Sequence, residues 1–124
     1  MPKTSRDTAQ VDDKGVLESR WAEMEGHYVC FETFREDADA TPLFKGLPDD
    51  RCQSPHWGYV FKGSITFKYA DRDEVYEAGD AYYALPGHIP VVSAGTEVLE
   101  FSPAEEYERT AEVLERNLAT MQAA

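Results

Sequence analysis

The sequence predicts an all-β domain, a sandwich or barrel, carrying one α-helix at its C-terminus. Three observations lead there. From Cys52 to Phe101, short apolar and aromatic runs recur at spacings of about 8 to 12 residues, each ended by glycine, proline or an aspartate-rich turn. Within the best of these runs the side-chain types alternate with period two, as successive residues of a strand do. Behind Ser102 the apolar period changes to three and four, the signature of an amphipathic helix.

Taken in order, residues 1–14 (MPKTSRDTAQVDDK) are polar and lack a period, and read as a loose N-terminal arm that a partner subunit could order. Val16–Met24 places Leu17, Ser19, Trp21 and Glu23 on one parity, a weak strand signal. Glu25-Gly26 is a turn, and His27–Phe34, dense in aromatic and β-branched residues, completes a hairpin. Arg35–Asp50 has loop chemistry around an apolar knot at Leu43 and Phe44, and a loop of that length in a small domain usually covers something. Six strands follow: Pro55–Lys62, Ser64–Tyr69, Glu74–Glu77, Ala81–Leu85, Ile89–Ser93 and Glu97–Phe101. Ser102-Pro103-Ala104-Glu105 reads as a capping box, with Ser102 at the N-cap and Glu105 reaching back. Tyr107, Ala111, Leu114, Leu118 and Met121 then form one stripe, either packed on the chain's own β-domain or shared with a second subunit. The resulting organisation is an arm (1–14), a β-domain (15–102) and a helix (103–121).

A chain of 124 residues that is 42% hydrophobic and 12% aromatic has material for one real core. The net charge of −12 repels phosphates and anionic lipid, which argues against nucleic acid and membrane surfaces as partners. The start of the chain is polar and no apolar run approaches ~18 residues, so a cytoplasmic protein is expected. There its two cysteines, Cys30 and Cys52, stay reduced and are packed or ligating rather than bridged. There is no phosphate-cradling glycine loop, nucleophile elbow or basic patch.

The chemistry concentrates in Cys52–Gly63 (CQSPHWGYVFKG). Strand alternation puts Cys52, Ser54, His56, Gly58 and Val60 on one face and Trp57, Tyr59 and Phe61 on the other. The latter aromatics suit packing between sheets or across a dimer interface. Gly63 behind an aromatic strand, followed by Gly79-Asp80-Ala81-Tyr82-Tyr83-Ala84-Leu85-Pro86-Gly87, resembles the two motifs of a small single-domain cupin. In the first cupin motif two histidines one residue apart precede a glutamate and then a glycine. Counted back from Gly63, His56 falls at the glutamate, Cys52 at the second histidine and Asp50 at the first. In the second motif, counted from Gly79, Leu85 falls at the proline and Gly87 at the glycine. Pro90 stands where the ligand histidine belongs, with His88 two residues earlier. The resemblance covers about residues 26–101 and is closest to small bacterial cupins that pair a Cys-x-x-x-His with a Pro-Gly-His turn. It implies a jelly-roll-like cupin β-barrel holding a small ligand or a metal. The usual set of three histidines and a carboxylate is not present at these positions, so metal-dependent dioxygenase chemistry does not carry over.

Read by their own chemistry, Cys52, His56 and His88 are one soft and two borderline ligands. They suit a divalent transition metal, zinc first, with iron or copper as alternatives, and leave a position open for water or substrate. Asp50 or Ser54 would complete the shell. The plainer account makes His56 a hydrogen-bonded interior residue, Cys52 a packed thiol and His88 an exposed turn residue. In a third account the two histidines anchor an organic ligand without metal. Gly58, Asp50, Tyr82 and Tyr83 are the candidate cavity residues; the two tyrosines point to opposite faces, so one of them lines the cavity. Two function classes follow. One is a metal-dependent cupin acting on a small organic molecule, with the loop before Asp50 as its lid. The other is a non-catalytic small-molecule binding or sensing module. The aromatic outer face, the arm and the striped helix all point to a homodimer.

Overall fold

The computed structural model describes residues 2–123, so Met1 of the expected arm lies outside the described residues. Ten strands precede one helix. They are β1 (Gln10–Asp13), β2 (Leu17–Met24), β3 (His27–Phe34), β4 (Ala38–Asp39), β5 (His56–Lys62), β6 (Ser64–Lys68), β7 (Asp73–Glu77), β8 (Ala81–Ala84), β9 (Ile89–Val92) and β10 (Glu97–Pro103). Helix α1 spans Ala104–Ala123. A six-stranded sheet runs β1-β2-β3-β10-β5-β8 and a four-stranded sheet runs β4-β9-β6-β7. All neighbouring pairs are antiparallel.

The two sheets meet in one core. Val60, Tyr82, Ala84 and Val98 from the larger sheet interdigitate with Ile65, Phe67 and Val92 from the smaller. The architecture is the expected jelly-roll-like one, in the form of a two-sheet sandwich; among the described residues no strand pairing joins the two sheets. One edge of the smaller sheet is a strand of only two residues, β4, too short to extend the ladder.

Strand alternation holds where the site is built. On β5, His56 and Val60 are buried while Trp57, Tyr59 and Phe61 are exposed. On β10, Val98 and Ser102 are buried and Phe101 is exposed.

Two expectations are corrected. Gln10–Asp13, placed in the loose arm, forms β1 against β2 of the same chain. Arg6 further fastens this segment to β10 of the same chain, pairing with Glu97 at 2.6 Å. Ser102 does not cap the helix. It continues β10, where the inward parity of Val98 and Glu100 carries it into the interior, and the first helical N–H, of Ala104, donates to the Gly26 carbonyl instead. The helix stripe packs on the chain's own β-domain. Tyr107, Ala111, Leu114 and Leu118 face the hollow beside β2 and β3, whereas Met121 is 49% exposed. Asn117 Nδ2 donates to the carbonyls of Leu43 (2.7 Å) and Lys45 (2.8 Å), pinning α1 to the 35–50 segment. That segment is itself a wall: β4 pairs with β9, and Phe44 in the 3-10 turn Thr41–Phe44 is buried.

Gly63 joins β5 to β6 at φ +76°, and an added Cβ would overlap Thr96, whose hydroxyl accepts from Ser64 N–H. The substitution Gly63→Ala is therefore expected to cost about 2–3 kcal/mol in urea unfolding. Gly79→Ala, also at positive φ but with open space around its Cβ, should cost less.

A candidate metal centre beside a carboxyl pair

The first ligand candidate precedes β5 and the last follows β8, and the backbone ties them together. Cys52 N–H donates to the His88 carbonyl (2.9 Å), and Gly87 N–H donates to the Cys52 carbonyl (2.7 Å). Gly87 sits at φ +94°, a left-handed turn that glycine adopts without strain and that swings His88 inward. His56 opens β5 on its buried face. The three side chains are 2%, 7% and 1% exposed for Cys52, His56 and His88, so His88 is not the exposed turn residue of the plainer sequence account.

Their donor atoms converge. Cys52 Sγ lies 3.7 Å from His56 Nε2, and the ligand atoms of all three residues lie within 4.8 Å of one another. Zinc bound to one thiolate and two imidazoles would separate sulfur from nitrogen by about 3.6 Å, so this spacing fits. Both imidazoles are already oriented through their other nitrogen. His56 Nδ1 is 2.7 Å from Ser102 Oγ, and His88 Nδ1–H donates to the Leu85 carbonyl at 2.6 Å. For His88 the carbonyl acceptor fixes the proton on Nδ1 and leaves Nε2 as the lone pair, while the Ser102 hydroxyl orients the His56 ring; metal-binding histidines are held by such partners. Burial, helped by the neighbouring His56 ring, lowers the His88 pKa to about 4, so it is a neutral donor at pH 7. Burial pushes the Cys52 thiol up to about 11, partly offset by hydrogen bonds with Ser54 and Thr110. Without a cation the sulfur keeps its proton; a bound metal is what would make it a thiolate.

A cavity of about 330 Å³ opens beside these groups, walled by Phe34, Phe44, Ile65, Phe67 and Leu114 among others. A second hollow of about 270 Å³ under α1 shares Leu17, Tyr28, Cys30, Tyr107, Leu114 and Leu118 with it, so the two are contiguous. Glu32 and Glu100 also line the main cavity. Burial, then the facing Glu100 carboxylate and a hydrogen bond to it, holds the Glu32 carboxyl well above the usual range. The Tyr82 hydroxyl donates to Glu100 from the other side. The sequence reading missed this pair. Its signal was the inward parity of Glu32 with Cys30 on β3 and of Glu100 between Val98 and Ser102 on β10.

The candidate cavity residues divide. Tyr82 is buried and reaches Glu100 because Gly58, its register partner, has no side chain; a Cβ at Gly58 would overlap the Tyr82 ring. Tyr83 lies on the outer face, 42% exposed, packed against Trp57 at 4.9 Å between ring centroids. Asp50 is exposed in the 3-10 turn Pro48–Asp50 and accepts from Gly46 N–H, so it does not reach the cluster. Asp49 and Asp50 both have positive φ, which turns the chain at the position that counting back from Gly63 had put forward. Ser54 is fully buried, but its hydroxyl donates to the Pro55 carbonyl.

No family model and no curated protein matches this chain. Solved structures do. An RmlC-like cupin from Shewanella frigidimarina NCIMB 400 superposes with a TM-score of 0.56 at 17% identity, covering 82% of this chain and 89% of that one. The polyketide cyclase RemF from Streptomyces resistomycificus gives 0.59 at 14% identity, over 84% and 80%. The iron(II) form of HppE gives 0.57 at 11% identity; 82% of this chain is covered, but only 60% of HppE's length. These likenesses show the fold, which is that of the cupins. Among the described residues no helix is long and apolar enough to cross a membrane.

The His88 environment predicts an acid-sensitive protein in the metal-free state. Folded His88 protonates only near pH 4, whereas the unfolded chain takes up that proton near pH 6.5. The unfolded state therefore binds more protons between the two values. Stability should be full above pH 6.5 and fall by about 3 kcal/mol as the pH drops toward 4. Urea titrations at pH 7 and 4.5 should show this slope in the wild type and a shallower one in His88→Gln.

Proposed function

We propose that this chain is a cupin-fold protein that holds one divalent transition metal through Cys52, His56 and His88 and acts on a small organic molecule in the adjoining cavity. The observation that carries this reading is the paired orientation of the imidazoles. Each has Nδ1 tied to a fixed partner, Ser102 or Leu85, and the remaining donors meet at the Cys52 sulfur. A thiolate with two imidazoles favours zinc, with iron or copper as alternatives. A metal at this position supplies a Lewis acid to an oxygen atom of whatever the cavity holds. The chain's own groups do the rest: the apolar walls exclude water, and Ser102 and the Leu85 carbonyl orient the two imidazoles. Three protein donors leave a coordination position for the ligand, the pattern of a catalytic rather than a structural centre.

The apolar lining supports a second reading, a non-catalytic binding or sensing module that uses the same cavity without metal. Elemental analysis of untagged protein decides between them. About one zinc per chain is expected, lost in Cys52→Ala and His88→Ala. Cobalt substitution should give a sulfur-to-cobalt charge-transfer band that Cys52→Ser abolishes. Metal-free protein after dialysis against zinc, iron(II) and copper would overturn the metal reading.

We also infer that a second copy of the chain packs on the outer face of the six-stranded sheet. Trp57, Tyr59, Phe61, Tyr83, Leu85 and Phe101 are each 38–46% exposed there. At about 200 Å² per large side chain they offer roughly 500 Å² per copy, close to what the smallest stable interfaces bury. Two chains of charge −12 can meet on this face because its carboxylate, Glu97, is neutralised by Arg6 and Lys62. Sedimentation should give a dimer for the wild type and a monomer for Trp57→Glu/Tyr59→Glu; a monomeric wild type would overturn the inference.

A further inference from the structure

The groups at the deep end of the cavity differ in kind from those on its walls. At depth stand Cys52, His56 and His88 together with Glu32 and Glu100, and around them the lining is almost wholly apolar. Among the described residues, the one Lys or Arg side chain that lines the cavity is Lys14, whose ammonium is already paired with Asp12 at 2.9 Å and also acts on Glu32. Nothing at depth would therefore balance an anion. Glu100 is held in place by the Tyr82 hydroxyl, and Glu32 lines the same cavity. His88, 1% exposed, has its Nδ1 committed to Leu85 and turns its other nitrogen to the cavity.

We propose that the cavity takes small, uncharged, largely apolar molecules bearing one carbonyl or hydroxyl group, and that Glu32 and Glu100 exclude carboxylate and phosphonate ligands. The uncharged group would lie between the carboxyl pair and the Cys52–His56–His88 cluster, with the apolar body against Phe34, Ile65, Phe67 and Leu114. This rests on the reading that the cavity is the ligand site, and it names the ligand class. A divalent metal held there would have its charge offset by the Cys52 thiolate and by the neighbouring carboxyl pair. The site is then balanced before a ligand arrives, and an anion would bring an unpaired charge into an apolar enclosure, which is costly. An uncharged oxygen brings none and can use the hydrogen-bonding capacity of the pair. Size is limited too. At about 30 Å³ for each water-sized unit, 330 Å³ accommodates a compact mono- or bicyclic skeleton.

The test uses two isosteric pairs, benzamide with benzoate and 2-naphthamide with 2-naphthoate, in calorimetric binding to chelator-treated and to zinc-loaded protein at pH 7. At least one amide should bind at least tenfold more tightly than its carboxylate, in both forms of the protein. In the double variant Glu32→Gln/Glu100→Gln, checked for folding by near-UV circular dichroism, the gap should narrow severalfold. Leu114→Trp, which fills the cavity from α1, should abolish binding of the amide and separates cavity binding from adsorption to the aromatic outer face. A carboxylate that binds as tightly as its amide would overturn the proposal, as would amide binding that survives Leu114→Trp or the absence of amide binding altogether. Metal content is measured on the same samples. Loss of the metal reading with the amide preference intact, or the reverse, therefore shows which of the two has failed.

Discussion

The need to partner every polar group enclosed between two apolar sheets shapes this protein more than any other constraint. An unpaired donor or acceptor there costs about 1–3 kcal/mol, and among the described residues no buried side-chain nitrogen or oxygen lacks a partner. The partners come from distant parts of the chain. Ser102 of β10 serves His56 of β5, Leu85 after β8 serves His88, and Tyr82 of β8 serves Glu100 of β10. Satisfying these groups sets the orientation of both imidazoles, and that orientation gives the cluster its chemistry.

Glycine at position 58 belongs to the same economy of space. Opposite Tyr82 in the β5–β8 register, it lets the phenol lie flat across the sheet and reach a carboxylate on the strand beyond. Tyr82 is buttressed from below by Tyr76, stacked at 4.9 Å, and by Phe67. Phe67 also meets His88 edge-on at 4.9 Å. One aromatic cluster therefore braces both the carboxyl pair and a ligand candidate, so packing and site geometry are hard to alter separately.

Much of the site was legible because strands obey a short rule. Parity alone put Cys52, Ser54, His56 and Val60 on one face and the aromatic residues on the other, and the structure follows it. The resemblance to cupin motifs added the jelly-roll architecture, which the solved neighbours support. Parity could not choose between Tyr82 and Tyr83, since either phase of a short strand is plausible until its neighbour is known. Asp50, which counting back from Gly63 in the cupin pattern had put forward, falls outside the cluster because two successive positive-φ residues turn the chain there. Ser102 satisfied the local grammar of a helix cap, but a histidine on another strand claimed its hydroxyl. The Glu32–Glu100 pair needed the β3–β10 pairing, which no local pattern reveals.

The sheet order β3-β10-β5 has a consequence for the order of events during folding. The β2–β3 hairpin is local and can form as soon as it is made, yet it reaches β5 only through a strand that comes after all the others. Until β10 inserts, Glu32 faces no Glu100, His56 lacks Ser102, and the two halves of the larger sheet expose unpaired edges to each other and to solvent. Closing such long-range pairings is slow compared with forming hairpins and helices. The β5–β8 pairing and the Cys52–His88 bridge, which bring the thiol and imidazoles together, do not need β10, whereas the orientation of the His56 ring by Ser102 and the carboxyl pair do.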